Sequence, residues 1–174
     1  MLVQALADRR RADLRERLLD REGRPAAVAA TYELAGETVR LVMPLTMMNA
    51  SGQALGAPEV RPQDLRELLI VCNDVNLPVG ALRLRPQGSA GGHHGLESCL
   101  QAVASDQVPR LRIGVGTEPL PRDLEEFVLS PFARTDRPII KRIIDQAADA
   151  CETWIQEGIE MAMNRYNRPQ DLPT

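Results

Sequence analysis

Five consecutive apolar residues, Leu68, Leu69, Ile70, Val71 and Cys72, constrain the fold of this chain more than any other segment. An unbroken run of that length reads as a strand buried on both faces, and such strands belong to parallel sheets covered by helices. Asn73 and Asp74 follow at its carboxyl end. The rest of the chain supplies elements to match. Residues 28–34 and 39–43 are rich in β-branched and apolar side chains, and Ala35-Gly36-Glu37 between them reads as a hairpin turn. Residues 81–85 alternate, with Leu82 and Leu84 to one side and Arg83 and Arg85 to the other, and residues 110–116 alternate in the same way. Helical spacing runs over 1–19 through Leu2, Leu6, Leu14 and Leu18, over 96–104, and over 139–163 with Trp154 as core packing. A short helix over 51–55 is ended by Pro58 and Pro62. Strands interleaved with helices predict an α/β fold, a three-layer α/β/α sandwich around a mixed, mainly parallel twisted sheet.

The chain of 174 residues fits one domain over 1–174, with the polar, proline-containing residues 168–174 as a flexible tail. No apolar run is long enough to span a bilayer, and no basic stretch followed by an apolar block opens the chain, so the expected location is the cytoplasm. Cys72, Cys99 and Cys151 are odd in number, far apart and set in apolar stretches, which reads as reduced core thiols with no metal site. The net charge of -3 confines any nucleic-acid surface to a local patch. All but one of the 21 basic residues are arginine, whose planar fork suits phosphate. Aromatic residues, at 3%, are too few for a base-stacking platform.

In open α/β sheets, sites gather beyond the carboxyl ends of strands. Three polar segments compete for that place: residues 46–52, residues 73–78, and the glycine-rich residues 86–95 that end in His93-His94-Gly95. The glycine loop opens a helix, whose free N–H groups suit an anion, but it matches neither common nucleotide-binding pattern and equally fits a plain flexible connection. His93 and His94 are the only histidines; each fits a general base, a helix cap or a solvated side chain. Asp74 fits an aspartate that bonds its own turn. Arg83, Arg85, Arg110 and Arg112 fit either a solvated sheet face or a grip on phosphates.

Taken in order, residues 43–52 (MPLTMMNASG), 69–80 (LIVCNDVNLPVG), 88–96 (GSAGGHHGL), 110–116 (RLRIGVG) and 127–129 (FVL) resemble the bacterial-type peptidyl-tRNA hydrolase family, and the likeness covers nearly the whole chain. That family cleaves the ester between a peptide and the terminal ribose of tRNA without metal or organic cofactor. The resemblance implies that peptidyl-tRNA or tRNA is the partner, with no membrane and no metal. It implies a substrate-holding amide at Asn49 and an apolar contact at Met47. It also implies a tRNA contact at His94, where the family has asparagine, and a tRNA-backbone surface at Arg83, Arg85, Arg110 and Arg112. Asp74 and His93 are supporting candidates.

Two departures qualify that expectation. The family opens with a strand, a glycine-asparagine-proline-glycine turn and an arginine-histidine-asparagine motif that carries the catalytic base, whereas Met1-Leu2-Val3-Gln4 resemble the middle of its first helix. No Ser, Thr, Asp or Asn precedes that helix to cap it. Asn73 occupies the position of the family's catalytic aspartate and cannot carry its charge. A miscalled start, a shortened chain and a degenerate relative that binds RNA without cleaving it, as a chloroplast splicing cofactor of this fold does, all fit. Absence of the first strand implies exposed sheet edges and weak self-association. The reading is a hydrolase of peptidyl-tRNA, impaired in the chain as given; the alternatives are a non-catalytic RNA-binding relative and, more remotely, an unrelated nucleotide-binding α/β domain.

Overall fold

The computed structural model describes residues 1–60 and 62–168, so most of the expected tail lies outside the described residues. These residues form two compact units. One comprises Met1–Ile70 and Pro86–Pro109, the other Val71–Arg85 and the chain from Arg110 onward.

The first unit opens with helix α1 (Leu2–Arg10), then strands β1 (Glu16–Leu19), β2 (Pro25–Leu34) and β3 (Glu37–Pro44) in an antiparallel sheet ordered β1-β2-β3. The helix expected over 1–19 therefore stops halfway. Arg11 turns into the left-handed region (φ 54), its N–H donates to Asp8 O, and the Ala12 N–H reaches back to Ala7 O at 2.9 Å. That double closure ends the helix without glycine or proline. Leu14 and Leu18 are four apart, a spacing that serves a helix and a strand equally. Leu18 joins the sheet core at 2% exposure. The hairpin forms as expected, with Ala35 (φ 54) and Gly36 (φ 87) as its two turn residues between the Leu34↔Glu37 pair.

Small side chains set the thickness of this unit. Ala26, Ala27, Ala29 and Ala30 of β2 are all buried. On one face Leu18, Ala27, Ala29 and Val42 pack with Ala54, Ala57 and Val60 from the segment after β3. α1 lies on β3, and Arg10 sits 5.9 Å over the Tyr32 ring. The segment after β3 is a 3₁₀ helix over Met48–Gly56, longer than the helix expected at 51–55, and it ends where Ala57 becomes extended ahead of Pro58. Helix α2 (His94–Val103) packs against it.

The second unit holds strands β4 (Ile70–Pro78), β5 (Leu82–Arg85) and β6 (Arg110–Gly116) in the order β4-β6-β5, followed by α3 (Leu124–Leu129), α4 (Arg137–Glu157) and α5 (Ile159–Tyr166). β5 and β6 are antiparallel. The Ile70 N–H donates to Pro109 O and the Val79 N–H to Gly116 O, so β4 and β6 advance together and are parallel. The α/β class with mixed pairing is as expected, while the described pairs lean antiparallel. β4 also differs from the strand expected at 68–72. It is only half-buried from Ile70 to Asn73, and it continues through Asp74 to Pro78. The reason lies on β6: a Cβ on Gly114 would collide with Pro78 O and one on Gly116 with Val75 O, so bare backbone lets the later part of β4 come close.

The helix expected over 139–163 breaks at Gly158 (φ 87, ψ 173), whose N–H closes α4 on Trp154 O while its carbonyl accepts the Ala162 N–H that starts α5. Ile140, Ile143, Ala147 and Cys151 form the buried stripe of α4, and Trp154 is half-buried. α5 packs on α4 and β5.

All three cysteines are free of disulfides. Burial pushes the Cys99 thiol on α2 up to about 11, from an ordinary value of 9.0. Between these values the unfolded chain releases a proton that the folded chain keeps. The stability held by the neutral thiol is therefore fully present below about pH 9 and is lost as pH rises through about 11, roughly 2–3 kcal/mol in all. Urea midpoints measured from pH 8 to 11 should fall more steeply for the wild type than for Cys99→Ala; parallel curves would contradict the assignment.

Candidate active site

In the first unit, two glycines bring the candidate residues together. The Gly52 N–H donates to Ser98 Oγ at 3.0 Å, and a Cβ at Gly52 would run into the Ser98 carbonyl. A Cβ at Gly95 would run into Met48 Sδ and stand 3.0 Å from His93 Cε1. The start of the 3₁₀ helix thus lies directly against the start of α2, and Met47, Met48 and Asn49 share one surface region with His93 and His94. Met47 and Met48 are 78% and 58% exposed, which is far from the usual fate of a methionine, and Asn49 is exposed as well. Ser51 Oγ donates to Met48 O and steadies the turn.

The glycine loop is a built approach to α2. Gly91 (φ 60) and Gly92 (φ 81) take successive left-handed conformations that deliver His93 to the cap position. His93 Nδ1 accepts the Leu96 N–H at 3.0 Å, so His93 is the helix cap, one of the roles its sequence position allowed. His94 is exposed, with Nδ1 3.7 Å from Glu97 Oε2. This surface offers thioether area, a carboxamide and the first-turn N–H groups of α2, which suits a ligand with an apolar part and a polar, electron-rich end.

In the second unit, Arg83 stands opposite Arg112 and Arg85 opposite Arg110, so all four arginines take the same sheet face, with Leu82, Leu84, Leu111 and Ile113 on the other. They do not form one wet surface. Arg110 is 1% exposed, and Arg112 NH1 pairs with Asp74 Oδ2 at 3.0 Å with both side chains largely buried. Asp74 Oδ1 accepts the Asn76 N–H, the local bond expected of a turn aspartate, although here it forms within β4. Burying the Arg112 guanidinium beside the arginines of β5 is tolerable because Asp74 supplies its counter-charge. Arg83 and Arg85 remain exposed.

Asn73 is half-buried, and alternation along β4 sends it to the face opposite Asp74. It offers an amide oxygen and an amide NH2 but no charge. Asp74 is committed to Arg112 and to its own backbone and does not take the place of a carboxylate at residue 73. Sequence reasoning overlooked Met48, which covers Gly95 and borders His93; its position one residue before Asn49 was the available signal. Among the described residues, no group of three or more His, Cys, Asp or Glu side chains is placed to hold a metal ion, and no helix is long and apolar enough to cross a membrane.

The arginine pairs give a direct test. Arg112→Ala leaves the Asp74 carboxylate buried without its partner and should cost about 3–5 kcal/mol in urea unfolding, while Arg83→Ala should stay within about 0.5 kcal/mol of wild type. Equal losses would contradict the division into interior and surface arginines.

Comparison with known proteins gives one consistent answer. A family model described as peptidyl-tRNA hydrolase matches residues 1–173. A peptidyl-tRNA hydrolase of Roseiflexus sp. (strain RS-1) is 41% identical over 174 residues, covering 99% of this chain and 77% of the relative. One from Synechococcus sp. (strain JA-2-3B'a(2-13)) is 40% identical, covering 90% of this chain and 73% of the relative. A crystal structure of a peptidyl-tRNA hydrolase in complex with N-propanol superposes with a TM-score of 0.82 at 26% identity, covering 98% of this chain and 85% of that one. The enzyme from Acinetobacter baumannii gives 0.80 at 26% identity, covering 95% and 82%. Matched along nearly its whole length, the chain belongs to the peptidyl-tRNA hydrolase family.

Proposed function

We propose that this protein acts on peptidyl-tRNA, hydrolysing the ester between the peptide and the terminal ribose to give free peptide and tRNA, and that Asn73 makes the reaction slow. The observation that carries the reading is family membership over residues 1–173, within which relatives of the same name match most of the chain at about 40% identity. A single family model spanning both compact units supports treating them as one functional module.

The roles follow from the chemistry of each group. Met47 and Met48 offer adaptable apolar surface to the peptide or terminal base. Asn49 and the exposed His94 supply hydrogen bonds to the acylated ribose, and Arg83 and Arg85 meet backbone phosphates. Ester hydrolysis needs a water made nucleophilic, a place for the developing oxyanion, and a proton for the departing ribose oxygen. A carboxylate at residue 73 would hold a base in orientation and support its charged form, whereas Asn73 offers similar shape without charge. In the serine-protease case used as the general template, that exchange lowers turnover by about 10⁴. Three cysteines outside any disulfide support a reducing compartment, and the cytoplasm, where translation proceeds, is the proposed location.

The test is peptide release from an N-blocked aminoacyl-tRNA, run beside the Roseiflexus relative. This chain should bind tRNA with clear salt dependence and release peptide slower by on the order of 10³–10⁴. Equal rates would contradict the impairment. Salt-dependent binding with no release would favour the RNA-binding alternative that Asn73 also suits, and the lack of both would contradict the whole reading.

A further inference from the structure

Among the described residues β5 ends its sheet, with β6 on one side and no strand on the other. On the open side the Leu84 N–H donates to Asn167 Oδ1 at 2.6 Å, and Asn167 Nδ2 donates to Leu84 O at 3.0 Å. One carboxamide thus supplies the acceptor and the donor that a neighbouring strand would have offered. In an antiparallel pair, residues alternate between bonding the partner and facing outward. With Leu84 facing Asn167, Arg83 and Arg85 are the residues whose backbone groups turn to β6, opposite Arg112 and Arg110.

Asn167 is itself held firmly. Its N–H caps α5 on Met163 O, and α5 packs on β5. Two residues earlier, Arg165 forks onto Glu157 at 3.0 and 3.1 Å and reaches Thr153 Oγ1 at 3.3 Å, which also bonds Tyr166 OH. Asn167 is therefore fixed to the end of α5 and to β5, while its neighbours Arg165 and Tyr166 tie α5 to α4.

We propose that Asn167 is a positioning residue for RNA contact: by closing the outer edge of β5 at Leu84 it holds Arg83 and Arg85 as a fixed pair of guanidinium groups for the phosphate backbone of tRNA. The inference rests on the proposed role of those arginines. A four-residue edge strand bonded on one side only can shift its pleat, and each shift turns the side chains away from their face. With the strand held by β6 at Arg83 and Arg85 and by Asn167 at Leu84, the two arginines stay on one face about 6.5–7 Å apart along the strand. Two cations held in place lose less freedom on meeting phosphates than two that must first be ordered.

The experiment is a salt series of tRNA binding for four proteins: wild type, Asn167→Ala, the Arg83→Ala/Arg85→Ala pair, and the triple variant. The paired variant should bind more weakly with a flatter dependence of log Kd on log salt. Asn167→Ala should weaken binding by about threefold to tenfold and flatten the slope by up to about 1. The triple variant should bind like the paired variant, because Asn167 acts through those two side chains. A merely structural role would lower the melting temperature and leave the slope unmoved. Arginine-dependent binding that Asn167→Ala leaves unchanged, or losses that add in the triple variant, would overturn the inference alone. Binding indifferent to Arg83→Ala/Arg85→Ala would overturn the arginine reading and the inference with it. If Asn167→Ala does not remain folded, Asn167→Ser, which keeps one hydroxyl toward Leu84, is read the same way.

Discussion

The close approach of the 3₁₀ helix Met48–Gly56 to helix α2 is the constraint on which the first unit depends. Gly52, against the Ser98 carbonyl, permits no side chain, and a side chain at Gly95 would have to displace the Met48 thioether that covers it. Cores tolerate small changes in volume poorly, and a backbone carbonyl cannot swing aside as a side chain can. The buried alanines Ala54 and Ala57 anchor the other side of the 3₁₀ helix on the sheet through Ala27 and Ala29. A chain of small residues thus runs from the β2 strand through the 3₁₀ helix to α2. Its result is chemical: an exposed pair of methionines and Asn49 stand beside a capped helix start.

The second unit solves a different problem. Four arginines on one sheet face repel one another unless something takes up their charge. Asp74 does so for Arg112 from within β4, and the energetic weight of that pair lies in what its loss would leave behind, a buried carboxylate without a partner. The two arginines of β5 keep their exposure because they sit on the edge strand, and the edge is closed by a side chain from the last helix. A single carboxamide therefore protects the edge without adding a strand.

What the amino-acid order revealed depended on how local each signal was. The Ala35-Gly36 turn and the alternation of β5 were legible, because each is decided by a few neighbouring residues. The family motifs were legible for the same reason, and so was the fold class. The end of α1 was not, since Arg11 adopts its left-handed cap with neither glycine nor proline to mark it, and Leu14 and Leu18 suit helix and strand alike. One glycine inside an apolar helical stripe did not announce the break at Gly158. The Arg112–Asp74 pair joins residues 38 apart on two different strands. The Asn167 clasp joins positions more than eighty residues apart, and no periodicity carries such a link. The resemblance puts Asn73 where the family carries a charge, and the structure adds that Asp74 is occupied elsewhere.

The proposed role of segments 47–52 and 93–98 is to form one surface for the acylated end of tRNA. Hydrogen exchange of the protein with and without a tRNA carrying a non-hydrolysable, amide-linked aminoacyl end reads that surface directly. Exchange should slow in both segments together, with the protection lost in Gly52→Ala. Tight binding of the same RNA that leaves both segments exchanging as in the free protein would contradict it.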